Sequence, residues 1–158
     1  MVDSASKTEA NADDLAILYV DDESGNLLVF RLSYGDEMRV LCARSASEAL
    51  SILETEAVGV VVADQRMPKM TGIELFAILR ERYPDVTRVL VTAYSDRETA
   101  IDAINRGGVD RYVEKPWDAE EFRALLHEAA DDAKLRASLR ALRHAAAERE
   151  RRAMAVPI

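Results

Sequence analysis

Five polar side chains stand where the predicted strands of this sequence end, and their types suit the binding of a cation and a phosphoryl group. Asp21 and Asp22 follow one short apolar run, and Asp64 follows another. Thr92 ends a third run, and Lys115 follows a fourth. In a parallel sheet the carboxyl ends of the strands meet at one edge, so we expect these five groups to converge there.

Three clustered carboxylates raise each other's pKa values unless a cation lies among them. Oxygen ligands without histidine or cysteine favour a hard ion, and Mg²⁺ takes one or two carboxylates while keeping waters that phosphate can replace. A nearby lysine adds a second positive charge, and such a site suits phosphoryl transfer, in which neutralising the phosphate oxygens is most of the catalysis. A carboxylate can itself be the attacking group and become an acyl phosphate. The sequence therefore predicts a Mg²⁺ (or Mn²⁺) site built for phosphoryl transfer.

Each of these residues also has an ordinary interpretation. An acidic pair such as Asp21-Asp22 often lies in a solvated loop, and a single aspartate such as Asp64 is more often a turn residue. Thr92 is a good strand residue, and Lys115 is by default a surface lysine. Five such groups at matching positions are improbable by chance, so we favour the joint interpretation.

The elements that position these groups are indicated by an alternation of apolar runs and helical spacing. Ser47, Asp96 and Asp118 are predicted to cap helices, and Gly107-Gly108 to end one. Five strands alternating with five helices are typical of a parallel sheet covered on both faces, which is an α/β fold. The strands are predicted at 15–20, 40–43, 58–63, 86–92 and 110–114, and the helices at 26–34, from 47, at 72–83, at 96–106 and from 118.

Composition limits the remaining possibilities. The chain has 158 residues, 49% of them hydrophobic, which suffices for one compact domain. No apolar stretch is long enough to cross a membrane, the first residues do not form a secretory signal, and the single Cys42 excludes an intramolecular disulfide, so a cytoplasmic location is expected. Residues 1–133 carry a net charge of −13 and residues 134–158 carry +5. An acidic body disfavours nucleic acid as a partner.

Four segments resemble those of bacterial two-component response-regulator receiver domains: ILYVDDE (17–23), VVADQRMPKMTG (61–72), VLVTAYSD (89–96) and RYVEKPW (111–117). The resemblance implies a flavodoxin-like (βα)5 sheet with strand order 2-1-3-4-5. It also implies a signalling domain that promotes only its own phosphorylation and dephosphorylation, rather than an enzyme. We expect a disordered leader over 1–13, the receiver over 14–132 and a helical extension over 133–158.

The resemblance assigns a role to each residue at the acidic edge. Asp64 would be the phosphoacceptor, Asp22 would bind Mg²⁺ directly and Asp21 mainly through water. The backbone carbonyl of Arg66 would be a further metal ligand. Lys115 would pair first with the acceptor carboxylate and then with a phosphoryl oxygen.

The resemblance also implies a switch. Thr92 would bind the phosphoryl group through its hydroxyl, and Tyr112 would turn inward as the threonine moves. Pro116 would follow a cis peptide bond. Two bulky residues flank the site, Arg66 and Tyr94, and we hypothesise that they prolong the lifetime of the phosphoryl group. A histidine kinase or phosphotransfer protein would supply that group, and the fourth helix, fifth strand and fifth helix would pass on the signal.

The last helix is predicted to continue past Arg152, because no proline or glycine interrupts it after Asp118. That is about 35 residues, or about 50 Å, and we expect the part beyond residue 132 not to pack on its own domain. A coiled-coil seam is predicted that would dimerise the chain, formed by Leu135, Leu139, Leu142 and Ala146. The alternative is a solvated, frayed tail. Similar receivers often precede an output domain, so an output partner outside these residues is expected.

Two other functions remain open. One is an interaction scaffold that dimerises independently of phosphorylation. The other is an aspartate-based phosphohydrolase, which is disfavoured because Arg66 stands where such enzymes carry a second aspartate. A DNA-binding regulator is also disfavoured, because no helix-turn-helix pattern follows the receiver-like segment.

Overall fold

A computed structural model describes residues 12–155. Five parallel strands form one sheet in the order β2-β1-β3-β4-β5, so the predicted α/β fold and strand order are confirmed. The elements are, in chain order, β1 (Ala16–Val20), α1 (Ser24–Tyr34), β2 (Val40–Ala43), α2 (Ala46–Thr55), β3 (Val58–Asp64), α3 (Gly72–Arg82), β4 (Thr87–Thr92), α4 (Arg97–Asn105), β5 (Arg111–Glu114) and α5 (Ala119–Met154).

The three central strands are buried on both faces, which explains their nearly unbroken apolar character. Successive side chains point to opposite faces, so each strand contributes to two cores. Leu18 and Val61 pack with residues of α2, α3 and α4, whereas Tyr19 and Val62 pack with residues of α1 and α5. The sheet is thereby fixed between two layers of helices.

Three of the helix starts can be compared with the predicted caps. Asp118 accepts hydrogen bonds from the backbone N–H groups of Glu120 and Glu121, as expected. The cap of α2 is Ser45 rather than Ser47, because the Ser45 hydroxyl accepts from the Glu48 N–H at 3.1 Å. Asp96 precedes α4 but makes no capping bond, since its carboxylate accepts a hydrogen bond from the Arg66 guanidinium.

The helix α5 extends to Met154, but its middle is anchored to the domain. Ala133 is buried, Arg136 donates to the Thr87 hydroxyl at 3.0 Å, and the Arg140 guanidinium lies 2.7 Å from the Asp85 carboxylate. We expected that the part of the helix beyond residue 132 would not pack on its own domain. That expectation is wrong for residues 133–140, the first two turns of this part.

The predicted leader and frayed end fall largely outside the described residues. The last positions of the leader are an exception, because a short 3₁₀ helix covers Ala12–Asp14. No helix within residues 12–155 has the length and apolarity required to span a bilayer.

Candidate functional site

Three acidic side chains meet at the carboxyl edge of the sheet, between β1 and β3. The strand order reverses at this point, which is where parallel α/β sheets open a crevice for ligands. Asp21 and Asp22 directly follow β1, and Asp64 is the last residue of β3. One carboxylate oxygen from each lies within 4.8 Å of the others. This all-oxygen donor set fits a hard divalent ion such as Mg²⁺.

Lys115 lies beside the largely buried Asp64 carboxylate, with its Nζ 3.1 Å from Oδ2. The backbone N–H of Lys115 donates to the Thr92 carbonyl at 2.8 Å, which brings the end of β5 to the end of β4. Burial raises the pKa of the Asp64 carboxyl above its ordinary value, while the hydrogen bond and charge of Lys115 oppose that rise. The lysine thus favours the ionised form of Asp64, which is the nucleophilic form.

Asp21 is fully buried and held by three donors. The Tyr19 hydroxyl donates to its Oδ2 at 3.2 Å, the Asn26 amide donates to the same oxygen at 3.0 Å, and the Glu23 N–H donates to Oδ1 at 3.0 Å. Burial and the nearby Asp21 charge strongly raise the pKa of the Tyr19 hydroxyl, so it remains a donor.

The start of α3 lies directly against the end of β3. A Cβ atom at Gly72 would come within 2.8 Å of the Asp64 carbonyl oxygen and 2.7 Å of Leu90 Cδ1. Only glycine allows this approach without displacing its neighbours. The helix is then capped by the Thr71 hydroxyl, which accepts from the Glu74 N–H at 3.2 Å.

Thr92 ends β4 next to the acidic cluster and is fully buried. On β3, Asp64 pairs with Val91, the residue that precedes Thr92. Within the described part of the chain, the Thr92 Oγ1 is a buried side-chain oxygen without a hydrogen-bond partner. A buried hydroxyl without a partner lowers the free energy of unfolding by about 1–3 kcal/mol, and this loss is recovered when a hydrogen-bond acceptor comes within reach.

Thr92→Val is therefore expected to raise the free energy of unfolding by about 1 kcal/mol, because it removes an unpaired hydroxyl at nearly constant volume. Thr87→Val, at the other end of β4, is the matched control. The Thr87 hydroxyl donates to the Ala129 carbonyl at 3.1 Å and accepts from Arg136, so its loss is expected to cost about 1–3 kcal/mol. Urea unfolding measures the free energy of unfolding of both variants. If the two substitutions change it in the same direction, the Thr92 hydroxyl is not an unpaired buried group.

The remaining predicted residues around the site lie in different environments. Tyr112 is half-buried and packs against the core beneath α4. Tyr94 is exposed, with the Arg97 guanidinium 4.7 Å from its ring centroid. The Arg66 side chain points to Asp96 rather than to the acidic cluster. The Lys115–Pro116 peptide bond is cis.

The predicted coiled-coil residues of α5 lie away from the sheet edge, on an exposed face of the helix. The leucines at the three predicted positions are all solvent-exposed, as is Ala146. The structure thus groups Asp21, Asp22, Asp64, Thr92 and Lys115 at one edge and leaves Leu135, Leu139, Leu142 and Ala146 exposed on the helix.

The model of the response regulator receiver domain family matches residues 17–127, most of the chain. This chain belongs to the response regulator receiver domain family. It is therefore a receiver domain of two-component signalling, a class of signalling domains rather than enzymes in the usual sense.

Among curated proteins, the receiver is 40% identical to the hydrogenase transcriptional regulatory protein HoxA of Cupriavidus necator over 101 residues, which cover 64% of this chain and 21% of HoxA. It is 35% identical to the alginate biosynthesis transcriptional regulatory protein AlgB of Pseudomonas putida over 127 residues, covering 80% of this chain and 28% of AlgB. The chain thus spans between a fifth and a third of the length of these relatives.

Two solved structures show the same fold. The receiver superposes on an adenylate cyclase from Rhodopirellula baltica with a TM-score of 0.77 and 28% identity, covering 82% of this chain and 96% of that one. It also superposes on a response regulator receiver domain protein from Clostridium thermocellum with a TM-score of 0.68 and 30% identity. This match covers 79% of this chain and 98% of that one.

Proposed function

We propose that this receiver accepts a phosphoryl group on Asp64 from a histidine kinase or a phosphotransfer protein. The observation that carries the proposal is the meeting of three carboxylates within 4.8 Å of one another, with Lys115 3.1 Å from Asp64. Such an arrangement places a nucleophile, a cation site and a fixed positive charge at one point.

Mg²⁺ (or Mn²⁺) would be held by Asp21, Asp22, Asp64 and the backbone carbonyl of Arg66. The bound ion supplies charge neutralisation at the phosphoryl oxygens. Because Tyr19, Asn26 and the Glu23 N–H already fix Asp21, this carboxylate is ordered before any ligand arrives.

In the transfer itself, an Asp64 carboxylate oxygen attacks the phosphorus of the phosphohistidine on the donor. The O–P bond forms as the N–P bond breaks, and the electron pair returns to the imidazole nitrogen, which takes up a proton. Lys115 then moves its hydrogen bond from the Asp64 carboxylate to a phosphoryl oxygen. The positive charge of Lys115 stabilises the negative charge that develops on the phosphoryl oxygens during the transfer.

The unpartnered Thr92 hydroxyl supports a switch. A phosphoryl oxygen on Asp64 gives this hydroxyl an acceptor, and this contact favours the conformer in which Thr92 lies closer to the site. Tyr112 on β5 then fills the space that Thr92 leaves. The signal passes to the surface formed by α4, β5 and α5 and along α5 to an output domain or protein not among these 158 residues.

The proposal is tested by incubating the full chain with radiolabelled acetyl phosphate, with Mg²⁺ or with EDTA. We expect labelling only with Mg²⁺ and none in Asp64→Asn, whereas Asp36→Asn, at an exposed loop, is labelled like the wild type. A wild-type chain that takes up no label would contradict the proposal and favour the phosphorylation-independent scaffold. Labelling that survives in Asp64→Asn, or that does not depend on the metal, would contradict Asp64 as the metal-dependent phosphoacceptor.

We further propose that two chains associate through α5. Leu135, Leu139 and Leu142 are exposed at four- and three-residue spacing, which suits a coiled-coil seam. We expect light scattering to show a dimer that Leu139→Lys converts to a monomer. Leu32→Lys, at a still more exposed leucine on α1, is expected to leave the mass unchanged. A monomeric wild-type chain, with or without beryllofluoride and Mg²⁺, would contradict this assembly.

A further inference from the structure

Arg66 joins two loops at the edge of the acidic site. Its Nε lies 2.9 Å from Asp96 Oδ2, and its Nη2 lies 3.2 Å from Asp96 Oδ1 and 3.3 Å from the Ser95 hydroxyl. The backbone N–H of the same residue points to Asp64 Oδ1 at 3.4 Å. One residue thus touches the proposed phosphoacceptor with its backbone and the loop before α4 with its guanidinium.

The loop in question, residues 93–96, directly follows Thr92 and is held on its other side as well. Arg97 binds Glu114 of β5 through two hydrogen bonds of 2.9 and 3.1 Å and lies over the Tyr94 ring. If Thr92 is to move toward Asp64, this loop has to move with it. The Arg66–Asp96 pair therefore restrains the movement that the switch requires.

The side chains of Arg66 and Asp96 differ in solvent exposure. The Arg66 side chain is 70% exposed, whereas the Asp96 side chain is only 18% exposed. The Arg66 hydrogen bond is the main reason that the pKa of the Asp96 carboxyl lies below its ordinary value, so Asp96 is ionised at neutral pH. The arginine can leave the pair by rotating into solvent, while the aspartate stays in the loop.

We propose that Arg66 is a latch that binds Asp96 in the resting state and exchanges it for the phosphoryl group on Asp64. The inference rests on the proposed function and adds to it a competition between two anions for one guanidinium. A phosphoryl group carries nearly twice the charge of a carboxylate, and the guanidinium fork fits its oxygens well. Arg66 is a positioning residue in this scheme, and Asp96 opposes the phosphorylated conformer.

The latch is tested by titrating the full chain with beryllofluoride at fixed Mg²⁺, since beryllofluoride mimics a phosphoryl group on the carboxylate. The single tryptophan, Trp117, reports binding, and the ¹⁹F NMR signal of the bound ligand provides a second readout. We expect Asp96→Asn to bind about 3- to 5-fold more tightly than the wild type, at the upper end of what one exposed ion pair contributes. Asp102→Asn removes the same charge from α4 without touching Arg66 and is expected to change the affinity less than about 2-fold.

The double variant Arg66→Gln/Asp96→Asn separates the latch from a simple charge effect. We expect it to bind like Arg66→Gln alone, because without the arginine there is no pair for Asp96 to hold. The latch would be overturned if Asp96→Asn raised the beryllofluoride affinity equally in the wild type and in Arg66→Gln, or if it did not raise the affinity of the wild type. Either result would leave the proposed function in place. A wild-type chain that binds no beryllofluoride would overturn both.

Discussion

Replacing Phe30 with alanine is expected to lower the free energy of unfolding by about 3–5 kcal/mol. Phe30 is buried on α1, and its ring stacks on Tyr19 with a centroid distance of 4.2 Å and an interplanar angle of 3°. It also contacts Tyr34 and, edge-on, Phe122 of α5. The substitution therefore leaves a cavity where α1, β1 and α5 meet.

Leu32→Ala is the matched control for this loss, because Leu32 lies on the same helix with 72% of its surface exposed. Its expected cost is within about 0.5 kcal/mol. Urea unfolding monitored by circular dichroism measures both variants. Similar losses in the two variants would contradict the packing assigned to Phe30.

Asp22→Ala is expected to raise the dissociation constant for Mg²⁺ by about 100-fold or more, since losing even an outer partner of a metal ligand commonly costs 10- to 100-fold. Asp22 is the exposed member of the acidic cluster, so its removal leaves the core intact. Trp117 lies beside Lys115 and Pro116 with its ring 4.9 Å from that of Phe122, and its fluorescence reports the titration.

Asp36→Ala serves as the control for charge alone, because Asp36 is exposed in the loop between α1 and β2. We expect its Mg²⁺ affinity to stay within about 2-fold of the wild type. If Asp22→Ala and Asp36→Ala bind Mg²⁺ equally well, the acidic cluster is not the metal site.

The fold and the centre of the site follow from the sequence because both depend on local periodicity and strand ends. Each central strand reads as an apolar run, and each run stops at a polar residue such as Asp21 or Asp64. Parallel pairing then brings these ends to one edge without any knowledge of side-chain conformation. The structure places Lys115 next to Asp64, 51 residues away, for the same reason.

The contacts around that centre do not follow from the sequence, because they join side chains from separate elements. Arg66 and Asp96 are 30 residues apart, and nothing in either segment indicates that they pair. Tyr19 reads as one more apolar strand residue, although its hydroxyl binds Asp21. Asn26 reads as a helix residue, and only its position five residues after Asp21 hints at the contact.

The anchoring of α5 does not follow from the sequence for a related reason. A run of alanine and arginine looks solvated, and helical periodicity does not indicate which arginines meet acidic groups. Arg140 reaches Asp85 in the loop before β4, and Arg136 reaches Thr87 at the start of that strand. These contacts depend on how α5 crosses the sheet, which is a property of the packed layers.

The acceptance of a phosphoryl group by Asp64 is tested most directly by mass spectrometry of the full chain after incubation with acetyl phosphate and Mg²⁺. We expect a gain of about 80 Da, one phosphoryl unit. Borohydride reduction, which converts an aspartyl phosphate to homoserine, should mark the peptide that contains Asp64. An unmodified chain, or a mark on any other residue, would show that Asp64 does not accept the phosphoryl group.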